Sequence, residues 1–282
     1  MNIPMKTSEK ISRFFENSFL TAKGIVKIIL QSRRCGLKAE DRHGKRLIIM
    51  GNGPSLAETI HNHSNVLRQS DTMAVNFAAN APEFFDLRPK YYILADPHFF
   101  SSSDVNVKKL KENLTKVSWD MVLIIPHGAD LTDFSVNPAI TVARFNAIGV
   151  EGFDFFTEAV YSRSLAMPRP RNVLIPAIMS GISLGYRDIA IAGADHTWTQ
   201  TLSVNENNEV VSIQPHFYKE SAEEKDRIRA VYRDVRMHDI LYSFHVAFRA
   251  YHLIKRFADR KGVRIVNATP GSFIDAFPRG QL

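Results

Sequence analysis

Short apolar runs that end in polar residues recur along the chain and predict the strands of a parallel sheet. The five runs are 47–50, 72–75, 91–95, 121–125 and 189–192. Uninterrupted apolar runs of this length are typical of strands buried on both faces. Helical or loop segments separate them, which is the alternation of an α/β protein. We therefore predict a Rossmann-like α/β fold, with a mostly parallel sheet and helices on both faces.

The N-terminal segment follows another pattern, because its apolar side chains recur at steps of three and four. The apolar face comprises Ile11, Phe15, Phe19, Ala22, Val26 and Ile29. This spacing predicts an amphipathic helix over 8–34. Ser8 suits its start, and the Arg33-Arg34 pair suits its end. Lys23 and Lys27 interrupt the apolar stretches, which excludes a transmembrane span.

The basic excess of the chain lies in the same segment. The whole chain carries 36 basic and 29 acidic residues, a net charge of +7, and residues 1–46 alone carry 11 and 4, also +7. The remainder, 25 against 25, is neutral, which excludes a nucleic-acid-binding face spread over the fold. We expect the helix either to lie on an anionic membrane surface or to pack against the protein body or a partner chain. On a membrane, Phe14, Phe15, Phe19 and Leu20 would insert.

Composition narrows the class of protein further. Hydrophobic residues make up 45% and charged residues 23%, as in a soluble globular protein. The single cysteine, Cys35, excludes a disulfide framework and a cysteine-based zinc site, and the expected compartment is the cytoplasm. No Asp-x-Asp pair and no histidine cluster with ligand spacing occurs in the sequence, so we expect no metal and no cofactor.

A glycine loop follows the first predicted strand. Its sequence is Gly51-Asn52-Gly53-Pro54-Ser55, and a helical stretch begins at Leu56. The order strand, glycine turn, helix is typical of a nucleotide-binding turn. Leu56 replaces the third glycine of the dinucleotide motif and the P-loop lysine is missing, so neither NAD nor a Walker-type ATP site is predicted. A merely structural turn stays open as the alternative.

Polar side chains follow several of the predicted strands. These residues are Asn52, Asn76, Asp96, Asp195 and His196. Ligands of parallel sheets bind beyond the carboxyl ends of the strands, so we expect the five side chains to form the polar rim of one crevice. Capping and turn roles are the alternative for each residue taken singly.

Several of these segments resemble those of a known family. The segments are 47–55, Asn76, Asp96-Pro97, 184–189 with 193–195, and 269–272. In this order they resemble the small bacterial CMP-sialic-acid-dependent sialyltransferases, over residues 47–100 and 172–278. The glycine loop is also similar to that of the MptE-like pterin pyrophosphokinases, the former domain of unknown function 115. One departure is that the family's Ser-Gly pair falls on Asn172-Val173, and the nearest such pair is Ser180-Gly181.

The resemblance implies inverting, metal-independent transfer of sialic acid or a related keto-sugar acid. The donor would be a CMP-sugar, and the acceptor a glycan or lipid-linked glycan of surface polysaccharide or lipopolysaccharide synthesis, at the inner face of the cytoplasmic membrane. The implied substrate contacts are the glycine loop (Gly51, Asn52, Gly53, Pro54, Ser55), Asn76 and Asp96 for nucleotide and sugar, Asp195 for the ribose or cytosine, and Ser272. A pyrophosphokinase using ATP and Mg²⁺, a non-catalytic nucleotide-binding module and a homo-oligomer stay open.

A metal-free transferase needs groups for the leaving phosphate and a base for the acceptor hydroxyl. For the phosphate we expect Trp198, Tyr218, Lys219 and the glycine-loop amides. His216 is the favoured base, after a polar loop that predicts a hairpin or lid over about 197–220. The alternatives are His196, which lies at a strand end, and His245. His245 matches the position of the resembled family's catalytic histidine when counted back from Pro270, but it lies in a helical run near 220–260. The predicted domains are thus the helix, 1–46, and a catalytic domain, 47–282.

Overall fold

The computed structural model describes residues 7–132, 134, 137–211 and 235–282. The strands in these residues are β1 (Arg46–Met50), β2 (Asp71–Val75), β3 (Tyr91–Ile93), β4 (Met121–Pro126), β5 (Ile140–Phe145), β6 (Asp188–Ala192), β7 (Ser203–Val204), β8 (Val210–Val211) and β9 (Arg264–Asn267). The helices are α1 (Thr7–Gln31), α2 (Ser55–Gln69), α3 (Glu83–Leu87), α4 (His98–Ser101), α5 (Val105–Thr115), α6 (Asp154–Ser162), α7 (Leu174–Ser183) and α8 (Met237–Arg260). Short 3₁₀ helices cover Asn76–Asn80 and Trp198–Thr201.

One parallel sheet organises the molecule. Within the described residues it has seven strands in the order β5-β4-β3-β2-β1-β6-β9. The five apolar runs singled out in the sequence are β1 to β4 and β6, so the predicted Rossmann-like α/β fold is confirmed. The sequence analysis did not predict β5 and β9, which form the two edges of the sheet.

Both faces of the sheet are buried under helices. Leu47 and Ile49 of β1 pack on one side with residues of α6, α7 and α8. Ile48 and Met50 pack on the other side with residues of α2, α3 and α5. Residues 101–170 supply α5, β4, β5 and α6 to these same layers. Alternate side chains of each central strand thus enter two separate cores, which explains why these strands are apolar throughout.

The sheet has its topological switch point next to β1. From β1 the chain proceeds outward through β2, β3, β4 and β5, and it later returns to the other side of β1 as β6. The chain therefore continues from β1 and from β6 toward opposite sides of the sheet, and a crevice forms at this point beyond the carboxyl ends of the strands.

The structure describes residues 197–211 of the predicted lid. The 3₁₀ helix Trp198–Thr201 is followed by the antiparallel hairpin β7-β8, so the predicted hairpin around residues 205–208 is confirmed. The hairpin packs on α8 through Val210, Ile240 and Phe244. Residues 212–220 lie outside the described residues, as does the first part of the helical run predicted near 220–260. No helix among the described residues combines the length and the apolarity needed to cross a bilayer.

A crevice at the carboxyl edge of the sheet as candidate functional site

A cavity of about 500 Å³ opens between the loops that follow β1 and β6. The five polar side chains expected at strand ends all line it: Asn52, Asn76, Asp96, Asp195 and His196. The start of α7 forms the facing wall. A volume of this size is in the range of small-molecule sites, and the position is the one at which doubly wound sheets bind ligands.

Asn52 is the most informative residue of the cavity wall. Its side chain is buried, with 8% of its surface exposed, yet neither its amide nitrogen nor its amide oxygen has a hydrogen-bond partner among the described residues. Buried polar groups are nearly always bonded, because an unbonded one costs on the order of 1–3 kcal/mol. An amide left open on both sides in a cavity wall is available to a ligand that both accepts and donates.

The glycines beside Asn52 have a different role. The N–H of Gly51 donates to the carbonyl of Ala192 at 2.8 Å, and the N–H of Gly53 donates to the carbonyl of Gly193 at 2.8 Å. A Cβ atom on Gly51 would lie 3.0 Å from the carbonyl carbon of Gly193, so the two loops can approach only without a side chain here. Pro54 has no N–H. The expectation that glycine-loop amides stabilise a leaving phosphate is corrected for these residues, because their donors are already bonded.

The N-terminus of α2 is occupied by a carboxylate of the protein itself. Asp195 Oδ2 accepts a hydrogen bond from the Ser55 hydroxyl at 2.8 Å and from the Ser55 N–H at 3.4 Å. This is the place in a Rossmann-like fold where a phosphate would meet the positive end of the helix dipole. Ser55 therefore holds Asp195 and does not line the cavity, whereas Asp195 does.

The start of α7 offers donors of its own. Asn172 Oδ1 accepts the N–H of Leu174 at 3.0 Å and the hydroxyl of Tyr251 at 3.0 Å. A backbone N–H can only donate, so this contact fixes which end of the amide is oxygen. The other end, Asn172 Nδ2, is buried in the cavity wall and has no partner among the described residues. It is a second unbonded donor facing the same space.

The same contacts determine the protonation of His196. The single hydroxyl proton of Tyr251 goes to Asn172, so His196 Nε2, 2.7 Å from the Tyr251 oxygen, must carry a proton and donate it. Burial lowers the pKa of His196 to about 3, which keeps the ring neutral near pH 7. This tautomer leaves Nδ1 as the proton-accepting nitrogen, and a pKa this far below 7 makes that nitrogen a weak general base. His196 lines the cavity and stays an alternative to His216 as the base, with its low pKa counting against it.

One cation and one indole complete the wall near α7. Arg171 is exposed and lines the cavity. Its guanidinium forms no ion pair with a carboxylate of the described residues. Trp198 lies against the ring of His196, with 4.1 Å between ring centroids, and packs on Phe244 and Phe248 of α8. The wall thus combines a positive charge with a flat aromatic surface.

Asn76 and Asp96 close the opposite rim. Asn76 has a left-handed backbone, with φ of 50°, and its carbonyl accepts the hydroxyl of Tyr92. Asp96 is exposed, and its Oδ1 accepts the N–H of His98 at 2.9 Å at the start of α4. These backbone contacts hold both residues at the ends of β2 and β3, from which they line the cavity.

Other predicted site residues lie elsewhere. Ser272 is buried, where it donates to the carbonyl of Ala194 at 2.6 Å and accepts from Asn267, so its hydroxyl is committed to the fold. His245 is exposed on α8, next to Tyr242, and does not line the cavity. His245 as the base therefore stays a prediction, without a contact to the cavity in the described residues. His216, Tyr218 and Lys219 lie outside the described residues.

Sequence reasoning missed Asn172 and Arg171 as site residues. The hint was present, because Asn172-Val173 occupies the place at which the resembled sialyltransferases have their Ser-Gly pair. The resemblance places this pair at the start of a helix, and the structure adds that this helix is α7 and that its start faces the glycine loop across the cavity. Among the residues that the structure describes, no three histidine, cysteine, aspartate or glutamate side chains cluster in a way that could hold a metal ion.

Comparisons with known proteins add one distant likeness. None of the protein-family models matches the chain, and none of the curated proteins does. A solved structure that is similar is the MAf glycosyltransferase from Magnetospirillum magneticum AMB-1, with a TM-score of 0.49 and 10% identity. The match covers 94% of this chain and 38% of that one, so the chain spans well under half the length of this neighbour. At 10% identity, the neighbour's activity does not transfer to this chain.

Proposed function

We propose that the protein is a glycosyltransferase that moves sialic acid or a related keto-sugar acid from a CMP-activated donor to a surface-glycan acceptor. The observation that carries the proposal is the buried amide of Asn52, open on both its donor and its acceptor side in a crevice at the switch point. A nucleotide-sugar presents many hydroxyl, carbonyl and amino groups, and so satisfies such an amide from both sides. The resemblance to sialyltransferases in the glycine loop supplies the donor class.

The donor's phosphate is proposed to lie toward α7. The N-terminus of α2 already holds the Asp195 carboxylate, which would repel a phosphate there. On the facing wall, Arg171 supplies a positive charge and Asn172 Nδ2 an unbonded donor, next to the positive end of a ten-residue helix. Charge-assisted hydrogen bonds from such groups stabilise a leaving phosphate.

The nucleoside and the sugar are proposed to occupy the remaining wall. Trp198 offers a flat surface on which a base can stack, an interaction worth about 1–3 kcal/mol. Asp195 has a second carboxylate oxygen for ribose hydroxyls, as the family resemblance implies. Asn76 and Asp96 lie on the opposite rim, where they can hydrogen-bond the sugar.

The proposed reaction is a single displacement. The acceptor oxygen bonds to the anomeric carbon while the bond from that carbon to the phosphate oxygen of CMP breaks, and the configuration inverts. The acceptor proton passes to a base, for which His216 is proposed, and CMP leaves with its negative charge compensated by Arg171 and Lys219. No metal ion takes part in this proposal.

Calorimetric titration of the full chain tests the proposal. CMP, CDP, UDP, GDP and ATP are each titrated with and without Mg²⁺. Binding of CMP or CDP that is indifferent to Mg²⁺ is expected, and Arg171→Ala should weaken it roughly tenfold, since one charge-assisted bond is lost. Arg163→Ala, an exposed arginine on α6's end, is the matched control and should bind as wild type does.

Turnover separates the remaining alternatives. CMP-sugar hydrolysis or transfer should be present in wild type and His245→Ala and lost in His216→Ala. ATP binding that requires Mg²⁺ would overturn the transferase in favour of the pyrophosphokinase. Nucleotide binding with no turnover in wild type, unchanged in His216→Ala, would identify a non-catalytic module.

A further inference from the structure

Helix α1 packs on the protein body through its small and polar side. Gly24 is buried, and a Cβ atom there would lie 2.8 Å from Val150 Cγ1, so the helix backbone touches the body directly. The hydroxyl of Thr21 accepts the N–H of Phe153 at 3.1 Å, and the Lys27 ammonium donates to a backbone carbonyl of the body. These contacts fix the rotation of the helix about its own axis.

The opposite side of α1 is apolar and exposed. Eight large hydrophobic side chains on this helix have between 44% and 73% of their surface exposed, half of the sixteen such side chains in the described residues. Six of them are Ile11, Phe15, Phe19, Val26, Ile29 and Leu30. We call these six residues the apolar stripe. A soluble protein rarely exposes an unbroken row of this kind unless it binds another surface.

The stripe continues onto the body through aromatic rings. The ring centroids of Phe15 and Phe14 are 5.9 Å apart, those of Phe14 and Phe153 5.6 Å, and those of Phe153 and Phe155 5.7 Å. Phe155, at the start of α6, is 73% exposed. An apolar surface shared by two elements that are fixed to each other acts as one rigid face.

The charges around the stripe favour an anionic surface as its occupant. Helix α1 carries four basic and two acidic residues; Lys27 is bonded to the body, but the other three cations are exposed, and the exposed Arg33 and Arg34 follow the end of the helix. We propose that the apolar stripe and Phe155 form a docking face for an anionic lipid bilayer, in which the apolar side chains insert while the cations meet headgroups. A second copy of the chain would bring the same net positive charge, which makes pairing of two such faces less favourable.

Co-sedimentation of the full chain with lipid vesicles tests this face without any nucleotide. We expect binding to vesicles of phosphatidylcholine with phosphatidylglycerol, and weaker binding to phosphatidylcholine alone or at high salt. Phe15→Ser with Phe19→Ser should lower the vesicle affinity by about tenfold or more, because two exposed rings no longer insert. Lys23→Gln, beside the stripe, with Arg34→Gln, after the helix end, should lower only the binding to anionic vesicles, by roughly fivefold for each cation.

Val105→Ser with Leu241→Ser is the matched control, since both side chains are large, apolar and exposed but lie on α5 and α8. This control should bind vesicles as wild type does, and all variants should keep the helical circular dichroism of wild type. Equal vesicle binding by the stripe variant and wild type would overturn the proposal. So would a wild-type dimer in light scattering that the stripe variant converts to monomer, with no vesicle binding by either. Nucleotide binding is measured separately, so failure here leaves the proposed transferase untouched.

Discussion

Two buried asparagines at the same edge of the sheet differ in a way that separates folding from binding. Asn267 ends β9 and is 1% exposed. Its amide donates to the Ser272 hydroxyl at 2.9 Å and to the carbonyl of Ile274 at 3.3 Å, and its oxygen accepts the N–H of Thr269 at 3.0 Å. Asn52 follows β1, is 8% exposed, and has no such partner among the described residues. Position and residue type are shared, and only the state of the amide differs.

This difference separates a polar group whose hydrogen bonds are satisfied by the fold from one whose hydrogen bonds are left for a ligand. The Asn267 amide is hydrogen-bonded to three residues of its own loop, so it stabilises the fold. The open amide of Asn52 costs stability, and a cost of this kind persists where a ligand recovers it. The same contrast applies within the glycine loop, where the N–H groups of Gly51 and Gly53 are bonded while the Asn52 side chain between them is not.

The largest expected effect comes from Gly53→Ala. The new Cβ would overlap Asp195 Oδ2 and lie 2.8 Å from the carbonyl oxygen of Gly193. Asp195 can move only by giving up its bonds to Ser55. We expect the free energy of unfolding to fall by about 4 kcal/mol, measured by urea denaturation. Gly128→Ala is the control, because no atom of the described residues lies within 4 Å of a Cβ there. Equal stability of the two variants would mean that the loops can separate, and that the glycine donors are open to a ligand after all.

The next effect compares the two asparagines directly by changing each to leucine. Asn267→Leu should lower the free energy of unfolding by about 3 kcal/mol, since its partners stay buried without a bond. Asn52→Leu should leave it unchanged or raise it by up to about 1 kcal/mol, since no bond is lost and the side chain has a cavity to enter. CMP affinity of Asn52→Leu should fall at least about tenfold.

Urea denaturation and calorimetry of both variants decide the comparison. A similar loss of stability in both would show that Asn52 is also a structural residue. Full stability together with unchanged CMP affinity in Asn52→Leu would leave its open amide without a ligand, and the proposed site would lose its main support.

The sequence could predict the central part of the fold because burial on both faces demands apolar strands. The edge strand β5 was missed by the sequence analysis for the matching reason. In β5, Thr141 and Val142 are exposed and Arg144 reaches carbonyls of the neighbouring turn, so the strand is of mixed polarity. A strand with one neighbour has a solvent side, and the composition of β5 no longer distinguishes it from a loop. β9 was missed because it is short: after the exposed Arg264 its residues are buried, but only Ile265 and Val266 are apolar, which is too short a run to predict a strand.

The candidate site could be predicted to the level of strand ends but not to individual hydrogen bonds. The alternation of strands and helices places Asn52 and Asp195 at the carboxyl edge of the sheet, independently of the hydrogen bonds that their side chains form. Whether the Gly53 N–H is free depends on Gly193, 140 residues later in the chain, and no local pattern records that contact. For the same reason the start of α7 was missed: Asn172 acquires its role through Tyr251.

The smallest expected effect concerns His196 and depends on pH. The pKa of His196 is about 3 in the folded protein, against about 6.5 for an ordinary histidine. Below pH 6.5 the unfolded chain therefore binds a proton at this residue that the folded chain does not bind. The free energy of unfolding should therefore fall on account of this residue as the pH drops below 6.5, by about 1 kcal/mol over the measured window from pH 6.5 to about 5.5. His196→Gln keeps a donor for Tyr251 but cannot titrate, and should lack this slope relative to wild type. His245→Gln, at an exposed position, should retain it. If His196→Gln followed the wild-type pH profile, the histidine would be protonated in the fold, and the argument from its low pKa against a role as the base would fail.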